Sequence, residues 1–211
     1  VVYKKNFESI HDESLTQLKT ILEEMKLKHQ LRVELRARER VRRADFIGRD
    51  LVIVLGGDGT LTSISHNIDE NTPVMGVNSH PIDDDVNGSV GFYMDSTLDS
   101  FAEDFSAALS GKAIVNNLPR LRAIIDSTSG NRYTTDPAMN ELLIANTHQY
   151  APSKYHLRRG ERNTNQQSSG LIFSTWLGQG AWFSHSLDLS TLEKLRNSIN
   201  DHDVDSHYFV L

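Results

Sequence analysis

The sequence predicts an α/β domain built on a parallel sheet, residues 1–112, followed by a mainly β domain, residues 113–211. Three observations lead there. Leu51-Val52-Ile53-Val54-Leu55 is an unbroken aliphatic run, as a strand covered on both faces of a parallel sheet should be. It stops at Gly56-Gly57-Asp58-Gly59-Thr60, where glycines let the backbone turn tightly before a helix. Beyond Lys112 the segments become short and alternate, with Leu121, Ala123 and Ile125 on one face and Arg120, Arg122 and Ile124 on the other.

Taken in order, Val1-Val2-Tyr3 reads as a first short strand. Leu15, Leu18, Ile21, Leu22 and Met25 share one helical face, which predicts an amphipathic helix over residues 12–28. The arginines at 32, 36, 38, 40, 42 and 43 alternate with Glu34, Glu39 and Asp45, so this stretch reads as a solvated surface helix or loop. After the 51–55 strand, Thr60 is the expected N-cap of the next helix, and its free N–H groups would face a phosphate. Residues 72–78 form a second parallel strand. A polar loop over 79–90, with Asp83-Asp84-Asp85, leads to Gly91-Phe92-Tyr93. Ser96 with Asp99 predicts a capped helix whose buried stripe is Leu98, Phe101, Phe105, Ala108 and Leu109, ending at Gly111.

In the second domain, residues 127–131 read as a hairpin turn and 138–145, 154–157 and 171–175 as strands. Arg159 to Gln167 reads as a polar loop or hairpin tip. Residues 178–185 open a helix, and Leu189, Leu192, Leu195 and Ile199 mark a last one. His207 to Leu211 is a strand with a sticky edge unless another element covers it.

Composition excludes several classes. Net charge is −6, so the molecule as a whole is no polyanion binder and no nucleic-acid partner is expected. The absence of cysteine removes disulfides, thiolate catalysis and Cys-ligated zinc. No apolar run approaches the ~20 residues of a membrane span. No membrane partner is expected, no signal peptide is visible, and the expected compartment is the cytoplasm, or an organelle in a eukaryote. The first residue is Val, which implies a start trimmed or lying upstream. Asp201 to His207 has metal-ligand residue types without a recognised spacing and reads as a solvated loop, so no residue is assigned to a metal.

GGDGT is neither GxGxxG nor GxxxxGK[ST]. It resembles the signature shared by NAD kinases and by diacylglycerol/sphingosine kinase domains. The lipid kinases place Asn-Glu directly after GGDGT. Here Leu61-Thr62-Ser63 follows, and Asn140-Glu141 comes only later, as in NAD kinases. Pro73 to Asn78, PVMGVN, resembles the PVLGIN stretch of that family, Gly91-Phe92-Tyr93 its GF[LY] element, and Ser169 to Thr175 its DGLxxST stretch. Gly178 to Trp182 is similar to GSTAY. The wording GVNSHP and the long loop after it look most like the branch with mitochondrial and peroxisomal members. Ser169 for Asp, and Gln179, Gly180 and Trp182 in the GSTAY segment, are departures: a hydroxyl is lost at position 180, while Ala181 matches and Trp182 keeps an aromatic.

The resemblance implies a Rossmann-like parallel sheet carrying the GGDGT turn, then a β-sandwich-type domain that this chain leaves incomplete. It implies transfer of the ATP γ-phosphate, with Mg²⁺, to the adenosine-ribose 2′-hydroxyl of NAD to make NADP. Asp58 would be the catalytic residue, either taking or orienting the hydroxyl proton or positioning Mg²⁺. Gly56, Gly57, Gly59 and Thr60 would lie along the phosphates, Asn78 would line the crevice, and Phe92 would pack on an adenine face. Asn140 and Glu141 would grip ribose hydroxyls, with Ser169, Thr175, Gly180, Ala181 and Trp182 completing the NAD side. A homodimer or higher homo-oligomer is implied. Two alternatives stay open: a lipid kinase of the same superfamily, and an inactive nucleotide-binding relative.

Overall fold

The computed structural model of the chain describes residues 2–82, 88–148, 150–181 and 206–210. It divides into two compact units, Val1–Asn116 and Asn117–Leu211. No helix among the described residues is long and apolar enough to cross a membrane.

The first unit opens with helix α1, Val2–His29. The chain is therefore helical at Val2-Tyr3, where a strand was expected. Once the Leu18, Leu22 and Met25 stripe anchors the helix, each further residue added at its start gains a backbone hydrogen bond, and three apolar residues do not outweigh that. Strand β1, Val52–Gly56, then leads into helix α2, Asp58–Ile64. Strands β2, Val74–Asn78, and β3, Ser96–Thr97, join β1 in a parallel sheet of order β1-β2-β3. Helix α3, Phe101–Leu109, follows.

The core of this unit packs Leu18, Leu22 and Met25 of α1 with Val77 of β2 and Phe101 and Phe105 of α3. The α3 stripe is buried as expected at Phe101 and Phe105, but Leu109 is 38% exposed because the helix ends there. Gly111, in the left-handed conformation at φ +70°, closes that end with its N–H on the Ala108 carbonyl. The predicted cap is corrected. Ser96 is taken into β3 by pairing with Val77, and Ser100 is the N-cap residue. The hydroxyls of Ser96 and Ser100 both donate to Asp104, at 2.7 and 2.6 Å.

The arginine-rich stretch is exposed loop with two short 3-10 turns, Arg38–Arg40 and Arg43–Asp45. Glu34 pairs with Arg49 at 2.9 Å, Arg32 at 3.1 Å and Arg36 at 3.5 Å. The Arg49 guanidinium beside it holds the Glu34 carboxyl below the usual carboxylate range. Part of the local positive charge is thus met within the segment.

The second unit is antiparallel. Hairpin β4, Ile124–Asp126, and β5, Arg132–Thr134, turns at the predicted 127–131. Strand β6 is Glu141–Ala145 and β9 is Gly170–Thr175. Strand β10, Ser206–Val210, pairs with β9, giving a sheet of order β10-β9-β6, so the terminal strand has a partner. Strands β7, Ser153–Arg159, and β8, Arg162–Ser168, form a second long hairpin. The expected polar loop over 159–167 is therefore mostly strand. Its side chains are largely exposed, so the apolar alternation that flags a half-buried strand never appears in the sequence. Cross-strand hydrogen bonds, Tyr155 to Ser168 and His156 to Asn165, both at 2.9 Å, support the ladder instead. At 178–185 the described part is a 3-10 turn, Leu177–Gly180. Asp83 to Asp85, the expected last helix and the 201–205 carboxylates lie outside the described residues.

Candidate active site

In the first unit the strands end together. Gly56 of β1 lies opposite Asn78 of β2, which lies opposite Thr97 of β3. Open parallel sheets gather their ligands at this carboxyl edge. Gly56 sits at φ +154°, and a Cβ there would come within 2.8 Å of the Thr60 Cβ, so only glycine fits beneath the turn.

The helix starts earlier than the sequence implied. Gly57 is the N-cap and Asp58 the first helical residue, while Thr60 lies inside the helix with its N–H on the Gly57 carbonyl at 2.8 Å. The correction has an electrostatic counterpart: a carboxylate in the first turn faces the positive end of the helix dipole, which a threonine cap would not exploit. Gly59 is exposed at the same turn.

The Asp58 carboxylate is held from the next loop. Its Oδ2 accepts the Phe92 N–H at 3.0 Å and its Oδ1 accepts the Tyr93 N–H at 2.8 Å. Both bonds go to a charged acceptor, the stronger class of hydrogen bond. Asn78, 4% exposed, fixes the start of that loop. Its Nδ2 donates to the Ser89 carbonyl at 3.1 Å, and its Oδ1 accepts the His80 N–H at 3.1 Å. Gly91 turns the loop at φ +71°, where a Cβ would lie 2.6 Å from Asn78 Nδ2. Phe92 is 54% exposed and meets the Tyr93 ring edge-on at 5.1 Å. The structure therefore brings Gly56, Gly57, Asp58, Gly59, Thr60, Asn78 and Phe92 to one edge. Ser89 joins them, and only its place in a polar loop hinted at it in the sequence.

In the second unit Asn140 immediately precedes β6, and Glu141, the first β6 residue, pairs with Ser174 of β9. Thr175 is fully buried. Its hydroxyl donates to the Met139 carbonyl at 2.5 Å and accepts the Gly178 N–H at 3.0 Å, while its own N–H donates to the Asn140 carbonyl at 2.9 Å. Thr175 thus pins the Asn140-Glu141 backbone to the Gly178 turn, with its hydroxyl bonded inside the protein. Ser169 is exposed between β8 and β9, and its carbonyl accepts the Ser153 hydroxyl at 3.3 Å. Gly180 ends the 3-10 turn and Ala181 donates its N–H to Gly178 at 2.9 Å; Trp182 lies outside the described residues. Among the described residues no group of three or more His, Asp or Glu side chains is placed to hold a metal ion.

Thr175→Val keeps the shape and removes both hydroxyl bonds. It should destabilise the chain by about 1–3 kcal/mol, since a buried N–H and carbonyl lose a partner. Urea unfolding followed by circular dichroism checks this; an unchanged midpoint would show that the hydroxyl does not matter there.

A parallel sheet with a GGDGT turn at its carboxyl edge, followed by an antiparallel unit, places the chain in the class of two-unit α/β-then-β proteins. The model of the ATP-NAD kinase N-terminal domain matches residues 1–113, more than half of the chain. The chain belongs to the NAD kinase family. It is 31% identical over 148 residues to a probable NADH kinase of Oryza sativa subsp. japonica, covering 63% of this chain and 44% of the relative. It is 31% identical over 138 residues to an NAD kinase of Syntrophobacter fumaroxidans, with the same coverages. The chain thus spans less than half the length of these relatives. Among solved structures, an NAD kinase from Archaeoglobus fulgidus in complex with ATP superposes with a TM-score of 0.59 at 19% identity, over 78% of this chain and 59% of that one. Yeast NADH kinase complexed with NADH gives 0.52 at 22%, over 65% and 39%. At these identities the two structures speak for the fold.

Proposed function

We propose that this chain carries out, or forms part of a protein that carries out, phosphorylation of NAD to NADP by ATP. The adenosine-ribose 2′-oxygen forms a bond to the γ-phosphorus. The bond from that phosphorus to the β,γ-bridging oxygen breaks, ADP leaves, and the hydroxyl proton goes to a base. Asp58 is the residue to take or orient that proton. Gly56, Gly57, Gly59 and Thr60 lie along the phosphates of Mg-ATP, which enters as substrate. Asn78 and Phe92 serve the same edge. Asn140 and Glu141 serve the ribose hydroxyls. The backbone around Ser169, Gly180, Ala181 and Trp182 serves the rest of NAD, and Thr175 supports that turn from beneath. Such a transfer needs positioning and charge stabilisation more than covalent help from the protein. The observation that carries the reading is Asp58, held at the carboxyl edge of a parallel sheet inside the region that matches the ATP-NAD kinase model.

The rice relative is described as a probable NADH kinase and the yeast structure holds NADH, so NADH is the second acceptor to test. A homodimer or higher oligomer belongs to the same proposal. The test incubates the folded chain with Mg-ATP and NAD, or NADH, and measures NADP or NADPH by enzymatic cycling. Accumulation of either supports the reading. None from either acceptor, with ATP or polyphosphate as donor, would overturn it for this chain.

A further inference from the structure

Ser89 bonds to both sides of the Asp58 contact. Its Oγ accepts the Asp58 N–H at 3.4 Å and the Gly91 N–H at 3.3 Å. Its carbonyl accepts Asn78 Nδ2 at 3.1 Å and the Ile82 N–H at 3.0 Å, and its N–H donates to the His80 carbonyl at 2.7 Å. The fit is close on the other side too. A Cβ on Gly57 would lie 2.7 Å from Ser89 Oγ and 2.9 Å from its Cβ, so the serine occupies the space that Gly57 leaves open.

Two ties therefore join the GGDG turn to the 89–93 loop. One runs from the Asp58 carboxylate to the N–H groups of Phe92 and Tyr93. The other runs from the Asp58 and Gly91 N–H groups to a single serine oxygen. The carboxylate bonds are the shorter ones and supply the holding force, whereas the two long bonds to Ser89 set how the turn meets the loop. We propose that Ser89 is a positioning residue for Asp58, aiming its carboxylate by fixing the main chain on either side of the contact. The proposal rests on the kinase reading above, since it concerns the aim of that carboxylate during phosphoryl transfer.

Ser89→Ala deletes the shared acceptor and little else. The expected result is a fall of about tenfold in kcat, with KM for Mg-ATP unchanged, because a small misplacement of a catalytic group costs rate more than binding. Ser89→Thr keeps the hydroxyl and should recover most of that loss. In the ligand-free protein, amide hydrogen exchange at Asp58 and Gly91 should quicken in Ser89→Ala without a general increase elsewhere. Unchanged exchange at those two amides overturns the proposal whether or not the chain turns over NAD. Exchange that rises throughout the unit, with kcat falling only as the folded fraction falls, also overturns it, since that marks a merely structural role. A wild-type chain that makes no NADP defeats the kinase reading, and the exchange result then decides the Ser89 geometry by itself.

Discussion

Asp58→Asn is expected to remove NADP formation almost completely, by about 10²–10⁴-fold in kcat, the range lost when a positioned acid or base is deleted. The substitution keeps the size of the side chain and changes two things. It removes the charge and the proton acceptor that the proposed phosphoryl transfer assigns to Asp58. It also turns one acceptor oxygen into an amide NH2, a donor that then faces the N–H of either Phe92 or Tyr93, where both carboxylate oxygens now accept. Donor against donor loses one of the two bonds and opens the 91–93 loop, at about 1–3 kcal/mol of local stability. The two effects separate experimentally. Kinetics read the first, and amide exchange at Phe92 and Tyr93 reads the second. Turnover near the wild-type rate in Asp58→Asn would exclude Asp58 as the catalytic group, however the loop behaves.

The features legible in the sequence were those made by local pattern. Five aliphatic residues in a row announced β1, and the Leu18-Leu22-Met25 spacing announced the core face of α1. The glycine-rich turn announced a tight reversal at Gly56, and the structure has one, closed over Thr60. The features that were misread depend on partners distant in sequence. Ser96 carries the signature of a helix cap, yet pairing with Val77 draws it into a strand. Thr60 also looks like a cap, but the tight space beside Ser89 suits the side-chain-free Gly57, which becomes the cap. Strand β8 has no apolar rhythm because neither face of its hairpin is well buried, so only its ladder with β7 reveals it. Ser89 is the same case within the site. Its contact with Asp58 spans 31 positions, and nothing in the loop around it distinguishes that serine from a solvated one. The Asp58 contact with the N–H groups of Phe92 and Tyr93 was equally hidden, since main-chain donors carry no residue signature.

Phe101→Ala should be the most destabilising single change in the first unit, at about 3–5 kcal/mol. Phe101 is 0% exposed, and its ring stacks on Phe105 at 5.4 Å with the planes 7° apart. Helix α3 has nine residues, too few to be stable without packing, so the energy that holds it comes from this face. Truncation leaves a cavity among Leu18, Leu22, Met25, Val77 and Phe105, and α1, β2 and α3 cannot all collapse into it. Against a typical total of about 5–15 kcal/mol, that is a large share. The effect should also reach the site. Val77, in the same cluster, is followed directly by Asn78, whose side chain holds the Ser89 carbonyl and the His80 N–H. Leu109→Ala on the same helix removes a residue 38% exposed and should cost less than about 1 kcal/mol, which makes it the matched control. Urea unfolding of the two variants decides the matter: a Phe101→Ala loss no larger than the Leu109→Ala loss would mean that the unit does not depend on this cluster for its fold.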